Sequence, residues 1–268
     1  MYEKLEDAQR YLYHELEARN IHPENDPFKS GFIGLNDSIT TTTKGSLTSK
    51  QCSTDPLWGV QFLRWFDELG IKSGDKVFLS VSSSFPGLDY SCIAACEMRG
   101  LNPVLCVSLG ASSWGANRPD MNMADILDVL RAGGYMNIQP EFWTLGGQNE
   151  NADNMNPKGR EILISSMKGR NLEIRSTLQE IVALKAQHIP GSKLVINIGG
   201  NASFMGYGDN FADIPSGVIM PGDNIDFGNG LAGIALKAGI PFINIRSLKG
   251  LAEKCGINYS IASEKIRG

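Results

Sequence analysis

Lys76-Val77-Phe78-Leu79-Ser80-Val81 runs straight into Ser82-Ser83-Ser84-Phe85-Pro86-Gly87, and then into a helix-length segment, residues 88–99, closed by Gly100. The first six residues are almost continuously apolar, the pattern of a strand buried on both faces of a parallel sheet. The next six are small and hydroxylated, and they carry the Pro and Gly that punctuate a loop. Strand, small-residue loop and helix in that order form half of a βαβ unit, so this stretch predicts an α/β protein.

Working outward, the same unit recurs. Strands are predicted over 103–108, 141–145, 193–198 and 241–245, and helices over 123–132, 157–170, 176–186, 230–238 and 248–254. Most of these segments end at glycines, such as Gly133-Gly134, Gly146-Gly147 and Gly199-Gly200. Upstream, Leu5, Ala8, Leu12 and Leu16 recur at helical spacing and predict an amphipathic helix over 2–19. A further helix is predicted over 57–69, with Ser53 or Asp55 as its cap and Pro56 in its first turn. The expected fold is a Rossmann-like parallel sheet with helices on both faces. It forms one α/β domain over 1–268, to which residues 1–30 append the N-terminal helix and a turn-rich connection.

Bulk composition narrows the function. The 268 residues are 42% hydrophobic and carry 30 glycines, enough for a sizeable core and many tight loops. A net charge of −4, with scattered basic residues, argues against a nucleic-acid partner. The five cysteines form no CxxC pair, and none of the three histidines is near a cysteine in sequence, so no metal site is expected. No stretch approaches the roughly 18 apolar residues that cross a bilayer.

In open α/β sheets, ligands sit beyond the carboxyl ends of the strands. That rule selects four loops: Ser82, Ser83, Ser84 and Gly87; Ser112, Ser113, Trp114 and Asn117; Gly146 and Gly147, followed by Gln148, Asn149, Glu150 and Asp153; and Gly200 with Asn201. All four are expected on one edge, where hydroxyls and backbone N–H groups at helix starts could cradle an anion. For each, a plain capping or packing turn is the alternative. A fifth segment, 31–55, is dominated by hydroxyls and includes Thr41, Thr42 and Lys50. It reads either as a surface strand and hairpin or as a ligand loop with Lys50 holding an anion.

The loop after the first strand lacks the Lys-Ser/Thr ending of a P-loop, the glycines of a GxGxxG fingerprint and the GxSxG of a nucleophile elbow, so no nucleotide or other cofactor is expected. His14, His22 and His188 are poorly placed to serve a Ser-His-Asp triad. A catalytic pair of Lys50 with a loop serine, Ser83 or Ser84, remains open. Asp37, Asp55, Asp153 and Asp223 could act as bases or cation ligands, although carboxylates in turns usually serve as caps.

Several uncommon strings occur in one order: Gly31-Phe32-Ile33-Gly34, Ser38-Ile39-Thr40-Thr41-Thr42, Gly45-Ser46-Leu47, Lys50 with Ser53-Thr54-Asp55-Pro56, Ser82-Ser83-Ser84-Phe85-Pro86-Gly87, and Ser108-Leu109-Gly110-Ala111-Ser112-Ser113-Trp114-Gly115-Ala116, with Pro119 and Gly146-Gly147 after them. In this the chain resembles the poly-gamma-glutamate system proteins, most closely over residues 2–150. The resemblance implies an accessory component of poly-γ-glutamate synthesis or export, partnered by the polymer or its machinery. It also implies membrane association through an N-terminal hydrophobic segment of a kind these residues do not include. It carries no catalytic residue over.

Three functions are therefore expected to compete. One is an accessory protein that binds an anionic, carboxylate-rich ligand. Another is a hydrolase or transferase acting on γ-glutamyl or phosphorylated substrates. The last is a non-catalytic partner in an assembly.

Overall fold

The computed structural model describes residues 1–210 and 212–260. Its centre is a six-stranded sheet in the order β5-β2-β1-β6-β8-β7, formed by β1 (Lys76–Ser82), β2 (Asn102–Gly110), β5 (Phe142–Gly146), β6 (Leu194–Ile198), β7 (Gly217–Ile219) and β8 (Phe242–Ile245). All neighbours pair in parallel except β7, which runs antiparallel to β8 at one edge. A two-residue ribbon of β3 (Asn117–Arg118) and β4 (Met121–Asn122) stands apart from the sheet.

The apolar runs of the strands divide by period. Val77, Leu79 and Val81 of β1 face one cluster, and Phe78 faces another. The first cluster is covered by α1 (Tyr2–Ala18), α3 (Leu57–Glu68), α4 (Pro86–Arg99), α5 (Met123–Ala132), Leu163 of α6 (Pro157–Ser166) and α10 (Lys249–Lys254). The second is covered by α7 (Leu178–Ala186), α8 (Ala202–Met205) and α9 (Leu231–Lys237). Helices therefore lie on both faces, as the βαβ pattern predicts. α1 is no loose appendage, because Leu5, Ala8, Leu12 and Leu16 are buried in the first cluster.

Four local details depart from expectation. Pro86, rather than Leu88, opens α4, because a proline suits the first helical position, where its missing N–H costs nothing. The helix predicted over 157–170 stops at Ser166. α7 starts at Leu178, fixed by a capping box in which Thr177 and Glu180 bond each other's backbone. β7 escaped prediction because three residues carry no usable period.

The larger departure is the hydroxyl-rich segment, which forms no hairpin. It makes one bridge, Thr41 to Ala111, and one short helix, α2 (Leu47–Cys52), capped by Ser46. Its hydroxyls bond the backbone of the loop after β2: Thr40 Oγ1 donates to Asn117 O at 2.6 Å, and Ser38 Oγ does the same. Asn117 answers from a buried position, with its amide bonding the N–H and C=O of Leu35 at 2.8 Å each. Gly34 permits this seam, since a Cβ there would lie 1.9 Å from the Gly115 carbonyl oxygen. Thr40 and Thr41 are thus spent on stitching a coil over the sheet edge rather than on a strand.

Among the described residues, no helix is long and apolar enough to cross a membrane.

Candidate functional site: a cleft at the switch point

The chain leaves β1 toward β2 and β5 on one side, then crosses to β6 on the other. This makes the β1–β6 boundary a topological switch point, where an open α/β sheet leaves a crevice beyond its carboxyl ends. A cleft of about 1220 Å³ lies there. The loops after all five parallel strands reach it: Ser82 and Ser84 after β1, Gly110 and Ser112 at the end of β2, Gly147 to Glu150 after β5, Gly200 and Asn201 after β6, and Arg246 to Lys249 after β8. Residues 42–46, with Ser49 and Lys50, form a further wall.

Lys50 is the most unusual group in this wall. Its side chain enters from α2 and is 2% exposed. The Nζ donates to the carbonyl oxygen of Ser84 and lies 2.9 Å from Ser112 Oγ, 3.7 Å above the centre of the Phe85 ring. Burial pulls its pKa down to about 7, against a smaller opposing effect of the Asp89 charge. Asp89, in the first turn of α4, is fully buried, and neither of its carboxylate oxygens has a hydrogen-bond partner. Burial pushes its pKa well up, with Lys50 opposing.

A second buried lysine behaves in the opposite way. Lys185 of α7 places its Nζ 2.6 Å from Glu150 Oε2, 3.0 Å from Ser203 Oγ and 3.3 Å from Ser80 Oγ. Burial opposes its charge, but the Cys106 thiol and the Glu150 carboxylate outweigh burial and hold its pKa above the ordinary value. Burial likewise opposes the charge on Glu150. The Lys185 ammonium and hydrogen bonds from Lys185, Ser203 and Thr144 hold that carboxyl below its ordinary value. Glu150 is thus a fixed anion with a fixed cation behind it, one edge of it reaching the cleft.

The strands supply the polar floor for this pair. Ser80, Asn197 and Asn244 stand in register on β1, β6 and β8, and Ser108 stands opposite Thr144 on β2 and β5. Asn201 Nδ2 ties the β6 loop to this floor through Asn197 Oδ1 at 2.8 Å and the Ser80 carbonyl at 3.1 Å.

Of the residues singled out by sequence, Thr42, Lys50, Ser82, Ser84, Ser112, Gly147, Gln148, Asn149, Glu150, Gly200 and Asn201 line the cleft. Seven other ligand or catalytic candidates do not. Ser83 is buried and donates to the Ser108 carbonyl at 2.7 Å. Gly87 lies against the chain at Ser53 and Thr54, where a Cβ would sit 2.8 Å from the Ser53 oxygen. Thr41 and Asn117 bond each other in the seam, Ser113 turns to Thr43, and Gly146 pairs with Gly110 in the sheet. Trp114 adopts a left-handed backbone, φ 65°, uncommon for a bulky residue, and holds the seam through backbone bonds to Gly34 and Leu35. Neither Ser53 nor Asp55 is the N-cap of α3, although Asp55 Oδ1 accepts the Leu57 N–H at 2.9 Å.

Sequence reasoning placed Ser203 in the loop after β6 without giving it a role, and it missed Lys185 and Arg246. The available signal was the polar residue set inside each apolar strand, Ser80, Ser108, Thr144, Asn197 and Asn244. A polar layer in a buried sheet requires a partner, and Lys185 with Glu150 is that partner.

The charges lining the cleft are Lys44, Lys50, Arg246 and Lys249 against Glu150 and Asp213. Both acids are in ion pairs, Glu150 with Lys185 and Asp213 with Arg246. Fold and site together define a doubly wound α/β protein with a polar, locally basic cleft at its switch point. No protein-family model matches the chain, and no curated protein or solved structure matches it.

Proposed function

We propose that this protein is an accessory component of poly-γ-glutamate synthesis or export, which holds a carboxylate-rich anionic chain in the switch-point cleft. The observation that carries this reading is the sign of the cleft. Three exposed basic side chains, Lys44, Arg246 and Lys249, line it beside the buried Lys50 in a protein whose net charge is −4, and of its two acids Glu150 is held by Lys185 and Asp213 by Arg246.

Arg246 is the main countercharge. Its guanidinium is exposed and stays charged at every working pH. Its bond to Asp213 is a solvent-facing pair, worth about 0–1 kcal/mol, so exchanging that carboxylate for one from a ligand costs little. Lys44 and Lys249 add exposed charge. The hydroxyls of Thr42, Ser49, Ser84 and Ser112 offer donors between them. The cleft is also larger than a single amino acid needs, as a segment of polymer would require. The resemblance over residues 2–150 names the polymer, and in that role the protein works beside the membrane-bound machinery.

The test is a thermal-shift titration with γ-glutamate oligomers, glutamate, phosphate and nucleotides on wild type and Arg246→Ala. Stabilisation by the oligomers, weakened in the variant and at high salt, is expected. No shift with any γ-glutamyl ligand sinks direct polymer handling and leaves an assembly partner. A shift with phosphate or nucleotide alone points to a different ligand class.

A further inference from the structure

We propose that Ser112 and Lys50 form a nucleophile–base pair, which gives the cleft an acyl-transfer or hydrolytic activity. The pairing differs from the one the sequence suggested. Ser83 is turned away into the Ser108 carbonyl, and Ser84 offers Lys50 its backbone oxygen, while the Ser84 Oγ accepts the Ser112 N–H at 3.1 Å. Ser112 is the serine whose Oγ meets the Lys50 Nζ, at 2.9 Å, and both residues line the cleft.

A lysine serves as a base only when it is neutral, and three features here favour the neutral amine. The side chain is almost wholly out of water. Among the described residues, no carboxylate lies within ion-pair distance of it. The titratable group that acts on it, Asp89 on α4, is itself buried without hydrogen-bond partners, and burial raises its pKa, which weakens the countercharge it offers. Burial therefore brings Lys50 to about 7, where a general base works best. A neutral amine can give one hydrogen to the Ser84 carbonyl and turn its lone pair to the Ser112 hydroxyl. The contrast with Lys185 is physical: that ammonium sits against Glu150 and cannot release its proton cheaply.

Access is provided by Gly45. A Cβ at this position would lie 3.1 Å from Ser112 Oγ, 3.2 Å from Lys50 Cε and 2.9 Å from the Ser113 carbonyl oxygen. Glycine therefore keeps a side chain from crowding the pair.

The chemistry balances without a metal or redox partner. Ser112 Oγ attacks an amide carbonyl carbon as its proton passes to Lys50 Nζ. The tetrahedral intermediate collapses, the C–N bond breaks, and Lys50 returns the proton to the leaving amine. Water then attacks the Ser112 ester, giving its proton to Lys50, which passes it to Ser112 Oγ as the C–O bond breaks, so the carboxylic acid leaves and both serine and neutral lysine are restored. The net change is amide plus water to acid plus amine. The substrate class, an amide linking carboxylate-bearing units, rests on the proposed polymer-binding function, whereas the dyad itself does not.

The experiment treats the intact protein with a fluorophosphonate probe, which Ser112 Oγ would capture at phosphorus with loss of fluoride. Intact mass and peptide mapping follow, on wild type, Ser112→Ala and Lys50→Arg. An adduct on Ser112 is expected, absent from Ser112→Ala and formed at least about 100-fold more slowly in Lys50→Arg, which keeps the charge but cannot lose its proton. No adduct on wild type, or one mapped to another serine, overturns the dyad, and this result needs no variant to fold. An unchanged rate in a folded Lys50→Arg protein overturns the role of Lys50. Thermal shift with γ-glutamate oligomers is read in parallel. A shift without an adduct leaves binding standing and removes the dyad. An adduct without a shift keeps the dyad and removes the polymer.

Discussion

The Lys185 ammonium lies 2.6 Å from a carboxylate oxygen of Glu150, with both side chains shut off from solvent at 0% and 1% exposure. The pair joins α7 to the loop after β5 across the polar layer of the sheet. It thereby fixes one wall of the cleft to a helix on the second face.

Removing either partner strands a buried charge. Glu150→Gln and Lys185→Met are each expected to cost about 3–5 kcal/mol of stability. Replacing both by apolar residues should cost less than the sum of the two. Urea denaturation of the two single variants and the double variant measures the difference, and additivity would show that the two groups do not act as a pair.

Lys50 should leave its mark on stability against pH. Its folded pKa of about 7 lies below the ordinary 10.5. Between those values the unfolded chain binds the extra proton, so stability rises with pH across that window and its dependence on this group levels off below about 7. Lys50→Met should lack this slope. Thermal melts of wild type and variant from pH 6 to 10 should therefore converge at the alkaline end if the methionine packs in the same space. Parallel curves would mean that Lys50 titrates normally.

Asp89 should behave with the opposite sign. Its folded pKa is raised, so the folded protein holds a proton that the unfolded chain loses above 3.8, and stability declines as pH rises from there. Asp89→Asn keeps the shape and removes the titration. At neutral pH it is expected to match or exceed wild type in denaturant stability, and at pH 4 the advantage should shrink. A large loss at neutral pH would mean that Asp89 serves as a needed anion.

Asn117 separates a structural role from a ligand contact. Its amide bonds both backbone groups of Leu35, so Asn117→Ala leaves the half-buried Leu35 N–H without its partner, while the Leu35 carbonyl keeps only the Trp114 N–H at 2.7 Å. A loss of about 1–3 kcal/mol is expected, seen as a lower midpoint in urea. Any γ-glutamate binding by the folded variant should stay within a few-fold of wild type, because Asn117 does not line the cleft. A large loss of binding with stability unchanged would reverse that assignment.

Much of the fold was legible because local chemistry decided it. The apolar run at β1, the prolines and glycines bounding the helices, and the 3.6-residue period of α1 each act within a few residues. The segment 31–55 was read less well, because threonine favours a strand and a hydroxyl bonded to distant backbone equally. Its choice depended on Asn117, 77 residues beyond Thr40 in the chain. Within the loops, spacing marked Lys50 and the serines as candidates but did not show which serine the amine meets.

The sequence by itself determined the doubly wound class of the fold and the set of loops at the carboxyl ends of its strands, since strand burial and loop chemistry are written in consecutive residues. Only the tertiary structure decided that Lys50 meets Ser112, 62 residues away, and that Glu150 meets Lys185, 35 residues away. Those contacts arise where separate βα units pack side by side; both lysines are buried there, and the Glu150 carboxylate beside Lys185 keeps that one charged while burial brings Lys50 to about 7.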